Sequence, residues 1–168
     1  MVRRMRHTVE TSAVDLFTLI EEKLSPVNAK RETGSDRLLV LRVAPDQLIA
    51  SLKLLTEELG LKHLSTITGL DIGDAIELNY QFWHSDRIVD IKTSISKTDP
   101  RIETCTPVIP GAMLYEMEVH DMFGVTFQGH PWMDRKLLLP DNYPKDLPPP
   151  LLKGTSPERI RKAVGVEK

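Results

Sequence analysis

The chain has 168 residues, with 22 Lys+Arg against 24 Asp+Glu for a formal charge of −2, and it is 40% hydrophobic and 27% charged. These values fit one ordinary core and exclude a disordered polyelectrolyte or a protein drawn by bulk charge to nucleic acid or an anionic membrane. Cys105 is the one cysteine, which excludes an internal disulfide and an all-cysteine metal or iron–sulfur site. No apolar run reaches the roughly 18–20 residues of a membrane helix. Glu10, Thr11, Ser12 and Asp15 interrupt what would be a signal-peptide core, and Arg3, Arg4 and Arg6 read as a solvated tail. A soluble chain of the cytoplasmic type is expected.

In chain order, Ser12 followed by Asp15 makes a capping-box-like start, and Leu16, Phe17, Ile20 and Leu24 share one face of a helix over 12–24. A weak strand signal over Val27–Glu32 precedes the turn at Gly34-Ser35 and a buried strand over 37–43. Leu48, Leu52, Leu55 and Leu59 then stripe a second helix, with Pro45 in its first turn and Gly60 at the left-handed position after its last. Residues 62–70 form a less regular strand. Ile76, Leu78, Tyr80 and Phe82 alternate with polar residues, as do Val89, Ile91, Thr93 and Ile95, so the pair is an antiparallel hairpin turning at His84-Ser85-Asp86. The expected fold is a two-layer α/β (α+β) domain of order α-β-β-α-β-β-β with a mainly antiparallel sheet.

Ten of the 12 prolines fall from Pro100 onward, and five of the nine aromatics do too. A further helix is expected over Ala112–Phe123, ended by Gly124, which closes a compact domain over 1–124. Prolines then forbid continuous secondary structure over 125–168, while Leu137, Leu138, Leu139, Leu147, Leu151 and Leu152 keep this segment apolar. An extended Pro-rich tail packing on partner subunits is expected, in preference to a tail that wraps its own domain.

Residues 115–131 are richest in chemistry. Ala112, Tyr115, Val119, Met122 and Phe123 make a stripe facing the domain. Glu116 and His120 read as a surface pair at i,i+4, with Met113 and Met117 on that second face and Glu118 and Asp121 pointing elsewhere. Glu116, His120, Asp121 and His130 are ligand types, but no second helix supplies a matching pair, so a metal is disfavoured. Thr-Cys-Thr-Pro around Cys105 has no helix start or glycine elbow to activate a thiol, and no glycine-rich phosphate loop is present. No catalytic, cofactor-binding or metal-ligating residue is assigned. Asp121 lies in the last turn of its helix, where the dipole disfavours a negative charge, and Arg135 or Lys136 is the expected counter-ion pinning the 129–140 loop to the helix.

The stretch from Asp99-Pro-Arg-Ile-Glu-Thr-Cys-Thr-Pro through Leu114-Tyr-Glu-Met-Glu-Val-His-Asp-Met-Phe-Gly, with Phe127-Gln-Gly-His-Pro and Leu137-Leu-Leu-Pro-Asp, closely resembles the small hydrophilic peripheral-arm subunit of respiratory complex I. That family includes the homologous subunits of membrane-bound [NiFe] hydrogenases and related ion-pumping complexes. The resemblance runs from about residue 10 to 143. It implies a structural subunit that binds no cofactor itself and sits on the cytoplasmic face of the membrane. Its implied partners are a hydrogenase-like large subunit and an iron–sulfur small subunit, with the membrane arm held indirectly. Iron–sulfur clusters, and nickel–iron in the hydrogenase branch, would reside in those partners. Residues carried over as partner-binding or tail-anchoring are Glu116, Glu118, Asp121, Phe123, Gly124, Gly129, His130, Pro131, Arg135, Lys136, Leu138 and Pro140.

This sequence departs from the family pattern at Met117, where an arginine is usual, in a longer Trp132-Met133-Asp134 loop, and in the ending Lys145-Asp-Leu-Pro-Pro-Pro. With the short chain, these departures favour a hydrogenase-type complex first and a NADH:quinone oxidoreductase second. Readings of another class are a free-standing metal enzyme using Glu116, His120 and His130, and a generic binding module.

Overall fold

The computed structural model describes residues 13–144, 146–163 and 165. The Arg3, Arg4 and Arg6 cluster, the Ser12 cap and Lys145 lie outside them. Helix α1 (Ala13–Leu24) buries Leu16, Phe17, Ile20 and Leu24, the stripe that helical spacing dictates. Strand β1 (Lys30–Gly34) begins later than the expected Val27–Glu32 strand, because Pro26 opens a short 3₁₀ turn over Ser25–Val27 and Asn28 takes a left-handed conformation.

Strand β2 (Leu38–Arg42) follows. The second helical stretch is composite: a 3₁₀ turn over Pro45–Gln47, α2 (Leu48–Lys53), and a π-turn over Leu54–Glu58. The Leu59 amide reaches the Leu54 carbonyl at 3.1 Å, and Gly60 ends the stretch at φ +71°. Leu48, Leu52 and Leu55 are fully buried.

Strands β3 (Leu64–Asp71), β4 (Ala75–His84) and β5 (Arg87–Ser96) complete a five-stranded sheet of order β1-β2-β5-β4-β3. All neighbours run antiparallel except β2 and β5, which are parallel from Leu38 opposite Ile88 to Arg42 opposite Lys92. The sheet is therefore mainly antiparallel, as expected. Leu39, Leu41, Ile76, Leu78, Tyr80, Phe82, Val89 and Ile91 point into the core shared with the helices. The opposite face carries an ionic cluster in which Arg42 binds Glu32 and Glu77, and Lys92 approaches Glu77 at 3.3 Å.

Beyond the sheet, β6 (Arg101–Glu103), α3 (Met113–Phe123) and β7 (Thr126–Gln128) form a unit in which β6 and β7 pair in parallel around the helix. Pro110 opens a 3₁₀ turn leading into α3, and Gly124 closes the helix at φ +74° with its amide 2.8 Å from the His120 carbonyl. α3 lies against β3: a Cβ built on Gly69 would stand 2.6 Å from the Phe123 ring.

The tail departs from a continuous extended segment. It contains β7 and a last helix, α4 (Pro157–Ala163), opened by Pro157 at its first position. Part of it is seated on this chain. Tyr143 and Leu147 are buried, the Leu151 amide donates to the Met122 carbonyl at 3.0 Å, and the Lys153 amide donates to Asp71 at 2.8 Å. The apolar side chains expected to need a foreign surface thus divide, and Leu137, Leu138 and Leu151 stay exposed.

Candidate functional site

The motif residues gather around α3 and do two different things. Glu116 is fully buried, which corrects the expected surface pair with His120. One carboxylate oxygen accepts the Cys105 amide at 2.7 Å and the other accepts the Thr104 hydroxyl, so the helix is tied to the loop after β6. Burial nonetheless holds the Glu116 carboxyl above the ordinary carboxylate range, outweighing these bonds. Burial, then the Glu116 charge, push the Cys105 thiol up, and the sulfur is inaccessible. That is the opposite of an activated nucleophile.

His120 turns elsewhere. Its Nδ1 donates to the Val125 carbonyl at 2.8 Å, closing the C-terminal end of α3. His130 is buried and bridges two segments. The Trp132 amide donates to its Nδ1 at 3.1 Å, which leaves the ring proton on Nε2, donating to the Met113 carbonyl at 3.1 Å. Glu116 stands 4.0 Å from that nitrogen. The histidine thereby fixes the turn of Gly129 (φ +85°) and Pro131 against the start of α3.

Asp121 is also buried, and its counter-charge differs from the expected one. A single carboxylate oxygen accepts the amides of Leu137, Leu138 and Leu139 at 2.9, 2.7 and 3.0 Å. Three converging amides do for this carboxylate what a cation was expected to do, and they pin the 129–140 loop through its backbone. Arg135 lies over the Trp132 ring at 5.5 Å and Lys136 over the Tyr143 ring at 5.4 Å. Holding three successive amides leaves the Leu137 and Leu138 side chains outside, 39% and 55% exposed.

The candidate residues therefore separate. Glu116, Asp121, Phe123 and His130 are buried anchors, and Gly124 sits under Pro149, whose Cγ a Cβ there would meet at 2.9 Å. Glu118, Gly129, Pro131, Arg135, Lys136, Leu138 and Pro140 face outward. Leu114 and Trp132 are exposed as well, and sequence reasoning did not single them out. Their signal was present in the sequence: both are large apolar residues flanking polar anchors.

Among the described residues no group of three or more His, Cys, Asp or Glu side chains is arranged to hold a metal ion, so Glu116, His120 and His130 do not converge as the metal-enzyme reading required. None of the described helices is long and apolar enough to cross a membrane. Glu116, Asp121 and His130 are used internally, while Leu114, Trp132, Leu137 and Leu138 are displayed.

The family model of the respiratory-chain NADH dehydrogenase 30 Kd subunit matches residues 41–159. Relatives named as the C subunit of NADH-quinone oxidoreductase occur in Salinispora arenicola, 32% identical over 113 residues covering 62% of this chain and 46% of that protein, and in Moorella thermoacetica, 32% identical over 107 residues covering 61% and 72%. A C/D subunit of the same enzyme from Psychrobacter is 30% identical over 140 residues, covering 82% of this chain and 23% of the relative. The matched segment thus spans about half the length of the Salinispora relative.

In fold, a chain of the archaeal membrane-bound sulfane sulfur reductase superposes with a TM-score of 0.72 at 24% identity over 90% of this chain and 92% of that one. The trypsin-resistant fragment of Nqo5 superposes at 0.58 and 23% identity over 69% and 97%. With the sequence match extending over most of the described sheet, α3 and the tail, the chain belongs to the family of the respiratory-chain NADH dehydrogenase 30 Kd subunit.

Proposed function

We propose that this chain is a non-catalytic structural subunit of the peripheral arm of a NADH:quinone oxidoreductase-type complex, held at the membrane through its partners. The observation that carries this reading is the division of labour around α3. The buried acids and His130 bind this chain's own backbone, and Leu114, Trp132, Leu137 and Leu138 stand exposed, with Arg135 stacked on the Trp132 ring. Exposed aromatic, arginine and leucine side chains on a backbone fixed in advance fit a stable protein–protein contact. The partners in this reading are a large subunit and an iron–sulfur subunit, in which the electron-carrying groups reside.

The hydrogenase-type branch favoured by the short chain and altered tail loses its preference, because the relatives that share the sequence are named for NADH-quinone oxidoreductase. A second reading keeps the scaffold role and changes the electron acceptor. It draws on the fold match to the archaeal sulfane sulfur reductase chain, which extends over nearly the whole of both chains.

The test is purification of a tagged chain from detergent-solubilised native membranes, with identification of the co-purifying proteins and assay of NADH:quinone activity. Co-purification of iron–sulfur, large and membrane subunits with that activity is expected. A chain recovered alone from the soluble fraction would overturn the scaffold reading, and a complex with another activity would select the second reading.

A further inference from the structure

We infer that the outer edge of β3 receives an extended strand from a neighbouring subunit, a proposal that rests on the scaffold reading and names a second contact within it. The two edges of the sheet are built differently. At one edge β1 reads Lys-Arg-Glu-Thr-Gly, is exposed throughout, and is bulged between Arg31 and Thr33, devices that discourage strand pairing. At the other, β3 reads Leu-Ser-Thr-Ile-Thr-Gly-Leu-Asp, with no charge before its last residue. A bulge near Ser65 leaves Thr66–Asp71 in regular register with β4. Among the described residues, the backbone hydrogen bonds made outside the ladders reach none of Ser65–Leu70. The outward amides and carbonyls of a β-prone, uncharged strand are thus left for another backbone to satisfy.

Space for such a backbone opens at both ends of β3. At its start a cavity of about 710 Å³ lies between Thr56-Glu57, Lys62–Leu64 and Val108–Gly111, ahead of α3. Toward its end a second cavity of about 180 Å³ lies between Thr68-Gly69 and the Glu118–Phe123 side of α3. Leu151, itself 56% exposed, lines this end. Cavities at both ends of an unpaired strand suit an extended occupant better than a helical one. The neutral rim at Ser65, Thr66 and Thr68 selects β-branched and apolar residues in its middle. Glu118 is exposed and makes no ion pair among the described residues, so a lysine or arginine of the occupant belongs opposite it.

The experiment places p-benzoylphenylalanine at position 68 in the chain carried by its native complex, purified from membranes and irradiated, with cross-linked peptides identified by mass spectrometry. Cross-links to one other subunit, at positions two residues apart, are expected, and Glu118→Arg is expected to weaken them. The outward amides of 65–70, those not bonded to β4, should exchange about tenfold or more slowly in the complex than in the isolated chain. An intact complex that gives cross-links only within this chain or to a second copy of it, or that leaves those amides unprotected, would overturn the inference while sparing the scaffold reading. Failure of any complex to co-purify would bring down both.

Discussion

The Phe123 ring covers Gly69 so closely that a Cβ on that glycine would stand 2.6 Å from Cδ2 and 2.8 Å from Cε2. The last turn of α3 is thus docked on β3 through the absence of a side chain. Gly69→Ala is expected to destabilise the isolated chain by about 1–3 kcal/mol, the usual penalty for overpacking a tight contact. Chemical denaturation measures it. An unchanged midpoint would mean that the ring swings aside freely and that the helix is held by other contacts.

Asp121 holds the 129–140 loop through three amides on one oxygen. Asp121→Ala strands those amides and should accelerate tryptic cleavage after the exposed Arg135 and Lys136, with little change in the melting of the sheet. Asp121→Asn keeps a carbonyl acceptor and should fall between. Equal cleavage rates in all three proteins would show that the loop is fixed by its packing.

Two buried acids give opposite pH signatures. Lys97, then the Gly73 and Lys153 amides, lower Asp71 to about 2. Its contribution is therefore complete above the ordinary carboxylate value near 3.9 and is lost as pH falls from there toward 2. Because the Lys153 amide is one of its donors, the tail from 151 to 155 should loosen in that window, and Asp71→Asn should abolish the transition as followed by amide exchange. Glu116 is displaced upward by burial, so the folded chain holds its proton more tightly than the unfolded one and loses stability as pH rises through the carboxylate range. Glu116→Gln should flatten that limb. Glu116→Ala should instead cost about 1–3 kcal/mol for each donor it strands. Identical pH profiles for wild type and Glu116→Gln would refute this account.

Leu138 is 55% exposed, and its amide is held in the Asp121 cradle. Leu138→Arg should leave the melting temperature of the isolated chain within the range of surface substitutions, about ±0.5 kcal/mol. The same variant should sharply reduce recovery of the complex. Full recovery would remove Leu138 from the docking surface.

The sheet was legible because its signal is periodic. Strict alternation over 76–82 and 89–95 predicts β4 and β5, and the leucine stripe from Leu48 predicts the second helical stretch. Alternation does not specify partners, so the parallel joining of β2 to β5 could not be read. At three residues each, β6 and β7 are too short for any period to register. The burial of Glu116 was hidden for a different reason. A glutamate four residues before a histidine reads as a solvated pair, and its actual partners, Thr104 and Cys105, lie 12 and 11 positions back on the loop between β6 and α3, out of reach of any helical spacing. The tail's seat was missed because Asp71, which receives it, is 82 positions away from Lys153.

The parallel seam between β2 and β5 also sets an order of events during synthesis. β2 is complete at Arg42 and can pair with β1 at once, yet its neighbour on the inner side spans Arg87–Ser96, so the β1–β2 pair waits without its inner neighbour while α2, β3 and β4 emerge. The β4–β5 hairpin can close on its own, because its strands are joined by a tight turn at Ser85-Asp86. The nascent chain thus acquires separate local strand pairs before it acquires a sheet, and the closure of the long loop between β2 and β5 is the step expected to limit its folding rate.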